Sequence, residues 1–450
     1  MEELKKWLTE HKITEIECIT PDQTGIARGK IMPTDKFLAE GGIRLPESIL
    51  LQTATGDYPD DEVFYRLLDP RDIDMSLRPD SSAAFTIPWA AEPSAQIIHD
   101  CHDSMGNLME LSPRAVLKKI LDLYGEQGWQ PIVAPEVEFY LTKSSTDPDI
   151  PLEPPYGRSG RQESGRQSFS IDAANEFDPI IEDIYDWAED MGLDIDTLIH
   201  EEGAAQLEFN FRHGDALKLA DQVFIFKRLV REAALKHKMN ATFMAKPVSG
   251  EPGSSMHVHQ SLVDAKTGKN LFSNKDGTAS TLFHHYIGGL QEYIPSVMPM
   301  LAPNVNSYRR YLPGADGNAP VNIEWAEENR TVGLRVPDAP PAARRVENRL
   351  PGSDVNPYLA LAANLLCGYL GMVTEVKPRT PVTGRMGNAA DDTMPWNLEA
   401  ALENMSNCEE IREILGNDFV DGFVATRWAE YEGFKKVISS WERQYLLATV

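Results

Sequence analysis

The sequence predicts an α+β protein, a small strand-rich unit followed by a larger mixed one. Three observations carry this. Strand-like and helix-like segments are scattered along the 450 residues without regular alternation. No Gly-rich phosphate loop opens a helix after a strand, which argues against a doubly wound sheet. Near DCHDSMGNLMELSPRAVLKKIL the pattern changes from short alternating runs to helical spacing. We set the boundary at about residue 108, giving units 1–108 and 109–450.

In the first unit, ITEIECITP (13–21) alternates, PDQTGIARGK (21–30) supplies a turn, and IRLPESILLQ (43–52) precedes an acidic loop, GDYPDDE (56–62). The second unit opens with Ser112 as an N-cap and Pro113 at the first helical position. PEVEFYL (135–141) reads as a buried strand, and 145–168, rich in Pro, Ser, Gly and charge, as a long loop. A helix over 176–191 leads to IHEEGAAQLEFNF (199–211), a strand–turn–strand. A long amphipathic helix over about 216–238 precedes the strands ATFMAKPV (241–248) and GSSMHVHQSL (253–262). After the loop 302–320, VNIEWAEENRTVGLRVP predicts a hairpin with ENRT near its turn, and the last hundred residues are mainly helical.

Lys and Arg number 43 against 69 Asp and Glu, a formal charge of −26, which argues against nucleic acid or an anionic membrane as partner. MEELKKWLTEHK lacks the apolar core of a signal peptide. The most apolar stretch, 358–372, is shorter than a membrane span and carries Asn364. Cys18, Cys101, Cys367 and Cys408 lie far apart, so a reducing cytoplasm is the expected home.

Acidic and imidazole groups recur in the strand-like segments. Residues two apart in a strand share a face, so Glu136 and Glu138 point the same way, as do His257 and His259. Glu201 and Glu208 flank a Gly-Ala turn, and Glu347 sits between Arg345 and Arg349. A buried carboxylate is costly unless it is paired or holds a cation. Oxygen ligands with a histidine suit a hard divalent ion, Mg²⁺ or Mn²⁺. Arg310, Arg330, Arg335, Arg345 and Arg349 would bind carboxylate or phosphate. Singly, each signal has an ordinary reading, an edge strand, a half-buried histidine pair or a salt-bridged helix surface.

In order and context together, APEVEFYL, EEGAAQLEFNF, ATFMAKPVSGEPGSSMHVHQSL, NSYRRYLPG, ENRTVGLRVP and RRVENRLPGSDVNPYLALAANLL resemble the glutamine synthetase superfamily. The resemblance implies an N-terminal β-grasp domain, a C-terminal catalytic domain, and active sites between subunits of a homo-oligomer, usually two stacked hexameric rings. Carried over, Glu138, Glu201 and Glu208 match ligands of one metal ion, and Glu136, His257 and Glu347 those of a second. His259, Ser261, Arg335 and Arg345 match ATP-contacting positions, and Gly253, Arg310 and Arg349 the glutamate side. Arg330 matches the arginine near the transferred phosphoryl group. The implied chemistry uses ATP with two or more Mg²⁺ or Mn²⁺ ions to phosphorylate the γ-carboxylate of L-glutamate, after which an amine displaces phosphate.

The departures gather where the nitrogen nucleophile would sit. Ammonia-using members carry an aspartate in a DGSS-like stretch; here RLPESIL places Pro46 there, with Glu47 beside it. The PGxEAP flap reads Pro313-Gly314-Ala315-Asp316-Gly317-Asn318-Ala319-Pro320. The tyrosine adenylylated in some bacterial enzymes is not recognisable in MGNAADDTMPWNLEAAL. This pattern resembles γ-glutamylpolyamine synthetases, and the expected acceptor is putrescine or another polyamine. Glu47, Asp57 and Asp316, with Asp60, Asp61 and Glu62, are candidates for the amine site. The alternatives are an ammonia-using glutamine synthetase with rearranged acids, a non-catalytic structural or regulatory relative, and ligases for ethanolamine or aromatic amines.

Overall fold

The computed structural model describes residues 1–312, 319–386 and 391–450. Its strands are β1 (Glu15–Pro21), β2 (Ala27–Pro33), β3 (Ile43–Pro46), β4 (Asp74–Thr86), β5 (Ser94–His102), β6 (Trp129–Lys143), β7 (Ile195–His200), β8 (Gln206–Phe211), β9 (Gly214–Asp215), β10 (Met239–Thr242), β11 (Met256–Asp264), β12 (Trp325–Glu327), β13 (Leu334–Val336) and β14 (Val346–Asn348). Two sheets and surrounding helices give the α+β class that the sequence predicts. The first sheet has the order β2-β1-β5-β4-β3; β1 and β5 run parallel and its other neighbours antiparallel. The second follows β12-β13-β14-β11-β6-β8-β7, with β9 and β10 also paired to β6.

Strand periodicity separates the two faces of the second sheet. On β6, Val133, Val137, Phe139 and Leu141 enter the core, where the helices Pro113–Glu126 and Ala216–Lys236 pack, while Ala134, Glu136, Glu138 and Tyr140 take the other face. Neighbours repeat the pattern, with Leu207 and Phe209 of β8, Val258 and Leu262 of β11, and Val346 of β14 inside. Burial of so many large apolar side chains, at about 1.5–3 kcal/mol each, holds the charged face in place.

Two buried polar ties fix the strands that carry that face. Asn364, in the helix Pro357–Val373, accepts hydrogen bonds from Gln260 of β11 (2.9 Å) and Asn348 of β14 (2.7 Å). It therefore pins two site strands to the most apolar helix. Arg114 is almost fully buried and donates to Asp221 (2.9 Å), Asp100 (2.7 Å) and Asp80 (2.7 Å), joining β4 and β5 to the helices of the larger sheet.

Four sequence expectations change in detail. VNIEWAEENRTVGLRVP does not form a hairpin: β12 and β13 pair in parallel, Ala326 opposite Arg335. The chain first returns to Asn322, whose side chain accepts from the Gly333 N–H (3.1 Å) and donates to the Thr331 carbonyl (3.2 Å). Only glycine fits there, since a Cβ at Gly333 would lie 2.2 Å from the Asn322 carbonyl oxygen. The strand expected over 241–248 ends at Thr242, because beyond it Ser255 takes over the edge of β6, accepting from the Glu138 N–H (3.0 Å). The acidic loop stops at Asp60, whose carboxylate caps the helix Asp61–Leu67. Ser112 does precede the helix at Pro113, but its hydroxyl is buried and unpartnered. Among the described residues no helix is long and apolar enough to cross a membrane.

Replacing Asn364 by Leu would leave the Gln260 and Asn348 amides short of an acceptor. We expect a loss of about 1–3 kcal/mol per orphaned amide, read from chemical denaturation against the parent protein; an unchanged midpoint would show that the tie is dispensable.

Candidate active site

The charged face of the second sheet gathers what the sequence distributes over two hundred residues. Strand register does this. Glu138 on β6 lies opposite Glu208 on β8, Glu136 opposite His257 on β11, His259 opposite Glu347 on β14, and Glu347 opposite Arg335 on β13. Glu201 joins from the turn after β7, its N–H bonded to the Gln206 carbonyl (2.8 Å).

The contacts are dense. Glu136 lies 3.1 Å from His257 Nδ1 and 2.8 Å from His259 Nε2. His259 Nδ1 accepts from Arg345 (3.2 Å), so its proton sits on Nε2 and is donated to Glu136. Glu347 takes Arg335 (2.9 Å) on one oxygen and Arg349 (2.6 Å) on the other. Glu138 accepts from the Ser255 N–H (2.9 Å), Ser255 Oγ (2.6 Å) and Gln206 (3.3 Å). Ser255 also lies 2.9 Å from His257 Nε2. Sequence reasoning passed over Ser255 and Gln206, although Ser255 continues the period-two row Ser255, His257, His259, Ser261.

The carboxyls divide by environment. Burial pushes Glu138 up, against its Ser255 bonds and the nearby Arg310 and Arg349. Burial and the Glu138 charge raise Glu201 to about 7. Burial and the Glu136, Glu138 and Glu201 charges raise Glu208 well above the ordinary range. Burial also opposes ionisation of Glu136, but bonds and charge from His257 and His259 outweigh it and hold the group down. Glu347 is likewise lowered, burial being overcome by His257, Arg349 and His259. Several acids in one sheltered place cannot all ionise alone.

That is the donor set of a hard divalent cation, and the residues fit one. Ligand atoms of Glu136, Glu208 and His257 lie within 4.8 Å of one another, as do those of Glu136, His259 and Glu347. These groupings cut across the two triplets expected from sequence, sharing Glu136 and adding His259, a position expected on the nucleotide.

Beside the cluster opens a cavity of about 820 Å³, lined by Glu136, His259, Ser261 and Arg345 among others. Ser261 Oγ donates to the Arg344 carbonyl (2.8 Å). Buried guanidiniums surround the other side. Arg310 donates to the Leu350 carbonyl (2.9 Å), and a Cβ on Gly253 would come within 2.6 Å of its Cγ, so glycine is required there. The Nε atoms of Arg310, Arg335 and Arg349 are all buried without a partner. Unfilled cationic donors around a cleft suit anionic ligands.

Other expected residues lie elsewhere. Arg330 is exposed on the loop between β12 and β13, near Glu328, and forms no ion pair among the described residues. Glu47 is buried in the first unit near Asp69, Asp103 and Asp72, and Asp57 bonds Thr55 (2.9 Å) at the surface. Neither touches the cluster within this chain. Asp316 and Asn318 lie outside the described residues.

With that geometry in hand, comparison with known proteins identifies the class. The model of the glutamine synthetase catalytic domain matches residues 110–446. The chain belongs to the glutamine synthetase family, and it is an ATP-dependent carbon–nitrogen ligase. It is 32% identical over 458 aligned residues to gamma-glutamylputrescine synthetase PuuA of Escherichia coli (strain K12), covering 99% of this chain and 94% of the relative. It is 31% identical to the glutamate–isopropylamine ligase of a Pseudomonas species, covering 98% and 96%. A solved structure described as a GmaS/ADP complex superposes with a TM-score of 0.85 at 26% identity, covering 99% of this chain and 100% of that one.

Protons and a divalent ion compete for the raised carboxyls. Affinity for Mn²⁺ or Mg²⁺ should fall as pH drops below about 7, where Glu201 holds its proton, by about tenfold per pH unit for each proton displaced. Without metal, a folded-state pKa raised from 4.5 to about 7 stabilises the fold below 4.5, and this contribution is lost as pH rises through about 7. The rise in Tm on adding Mn²⁺ should therefore grow with pH over this interval. A pH-independent rise would contradict the assignment.

Proposed function

We propose that the protein joins the γ-carboxylate of L-glutamate to the amino group of a diamine, putrescine or a close relative, with ATP giving ADP and phosphate. The observation that carries this is the end-to-end match to a relative named gamma-glutamylputrescine synthetase, while the match to a glutamate–isopropylamine ligase supports the amine-ligase class alone. The missing ammonium-site aspartate, with Pro46 in its place, supports a larger acceptor.

In this reading the cleft handles two anions. Arg345, His259 and Ser261 hold ATP in the cavity of about 820 Å³, with Arg335 at the cluster end. Arg310 and Arg349 take glutamate carboxylate, filling the Nε donors that the protein leaves open. Gly253 leaves room for Arg310 to do so. Arg330 would have to swing inward from its loop to meet the transferred phosphoryl group. Glu136, Glu138, Glu201, Glu208, His257 and Glu347, with His259 within reach, would hold Mg²⁺ or Mn²⁺. Such ions supply charge neutralisation between phosphoryl donor and carboxylate.

The chemistry balances in two transfers. A γ-carboxylate oxygen takes the terminal phosphoryl group, releasing ADP and making the carbonyl carbon electrophilic. The neutral amine attacks that carbon, the C–O bond to phosphate breaks, and the proton lost from nitrogen passes to the departing phosphate. The surrounding arginines stabilise charge at the transfer. Glu47 and Asp57 remain candidates for a neighbouring subunit's site, in two stacked hexameric rings. A cytoplasmic role in polyamine breakdown fits this substrate choice.

The test is phosphate release from ATP with Mg²⁺ and glutamate, one amine per well, with product mass measured. We expect strong release with putrescine or cadaverine and little with ammonium. Release mainly with ammonium would make ammonia-dependent glutamine synthesis the function. Separately, Arg310→Lys should raise KM for glutamate by about tenfold or more while KM for ATP changes little. Equal effects on both would remove Arg310 from the glutamate side.

A further inference from the structure

A second cavity, of about 380 Å³, lies one strand repeat beyond the metal-ligand cluster. Its wall includes Tyr140, which follows Glu138 on the same face of β6, roughly 6.6–6.8 Å along the strand. Three glutamates stand in its wall: Glu153 is paired with Lys143 (2.7 Å), which leaves Glu163 from the long loop before the helix Ile171–Glu176 and Glu251 from the segment leading to Gly253.

Both glutamates are left short of donors. The Glu163 side chain is only 6% exposed. Its Oε2 is committed, accepting from the Ala205 N–H (2.7 Å) and lying 3.1 Å from His200 Nε2. Its Oε1 is buried and has no partner, and the same holds for Glu251 Oε2. The nearby cations do not bond these two oxygens, although Lys246 Nζ donates to the Glu251 backbone carbonyl. Arg166 spends its donors on Glu202 (2.9 Å) and the Gly250 carbonyl (2.8 Å). The Tyr140 hydroxyl donates to the Pro252 carbonyl (2.9 Å). A buried carboxylate oxygen without a donor is expensive and calls for a cationic partner.

The rest of the wall narrows the chemistry. Leu152, Val248 and Ala204 add apolar surface to the same cavity. The complementary ligand is a short methylene chain ending in an ammonium group.

We propose that Glu163 and Glu251 form the subsite for the distal ammonium of the acceptor diamine, and so set the preference for diamines over monoamines. This rests on the amine-ligase reading above and adds to it the residues that select the amine. Glu163 also ties down Ala205 and His200, at either end of the turn carrying Glu201. An ammonium held there lies in the cavity walled by Tyr140, the residue that follows Glu138 on that face of β6.

The experiment compares kcat/KM for putrescine and butylamine in the parent protein, Glu251→Gln and Glu163→Gln, all with ATP, Mg²⁺ and glutamate. The two amines share a carbon chain and differ at the distal group, so their ratio reads the subsite alone. We expect the parent to favour putrescine and each variant to lower the ratio by about tenfold or more. Glu251→Gln, in a loop, serves should Glu163→Gln fail to fold. An unchanged ratio in a folded variant, or a parent that prefers butylamine or ammonium, overturns the subsite but leaves the ligase class standing. No turnover with any amine overturns the acceptor reading itself, and the subsite with it.

Discussion

Crowded negative charge on one face of a single sheet is the constraint around which the rest of the molecule is arranged. Glu136, Glu138, Glu208 and Glu347 come from β6, β8 and β14, with the histidine-bearing β11 between β14 and β6, and Glu201 adds a fifth carboxyl from a turn. Strand geometry makes this possible, because alternate residues can be given wholly to the core while those between carry charge. Helices on the core side and ties such as Asn364 and Arg114 keep the strands in register. A one-residue slip in β6 would put Val137 into the cleft and Glu136 into the core.

The cleft manages that charge by asymmetry. Glu136 and Glu347 are kept ionised by imidazoles and guanidiniums, whereas Glu138, Glu201 and Glu208 are pushed toward their protonated forms. Around them Arg310, Arg335 and Arg349 are held by short bonds but retain open Nε donors. Crowded carboxylates and open guanidinium donors thus interleave within a few side chains. A reaction that brings polyphosphate to carboxylate requires this arrangement, since the two anions repel without positive charge between them.

Much of this was legible because period-two spacing survives in sequence. PEVEF and MHVHQ announce which side chains share a face, and the strand–turn–strand around Glu201 and Glu208 forms as its pattern implies. Pairing direction was not legible. The parallel union of β12 and β13 depends on Asn322 receiving the returning chain at Gly333, a contact set by tertiary packing. The shortened strand at Thr242 likewise reflects competition from Ser255 for the edge of β6. RRVENR reads as a helix surface when taken alone, yet Val346–Asn348 is a strand whose central glutamate faces the cleft. Glu163 gave no signal, since it sits in a polar loop whose route over Tyr140 only the fold determines. Glu47 and Asp57 were conspicuous acids that the chain keeps away from its own cluster.

The central claim is that the acidic face is a divalent-cation site adjoining the nucleotide cavity. The most direct measurement is anomalous diffraction from crystals grown with Mn²⁺ and ADP. The account predicts two anomalous peaks, both bounded by Glu136, Glu138, Glu201, Glu208, His257, His259 and Glu347, with the nucleotide phosphates toward Arg345. Full nucleotide density with no manganese among those side chains would contradict it.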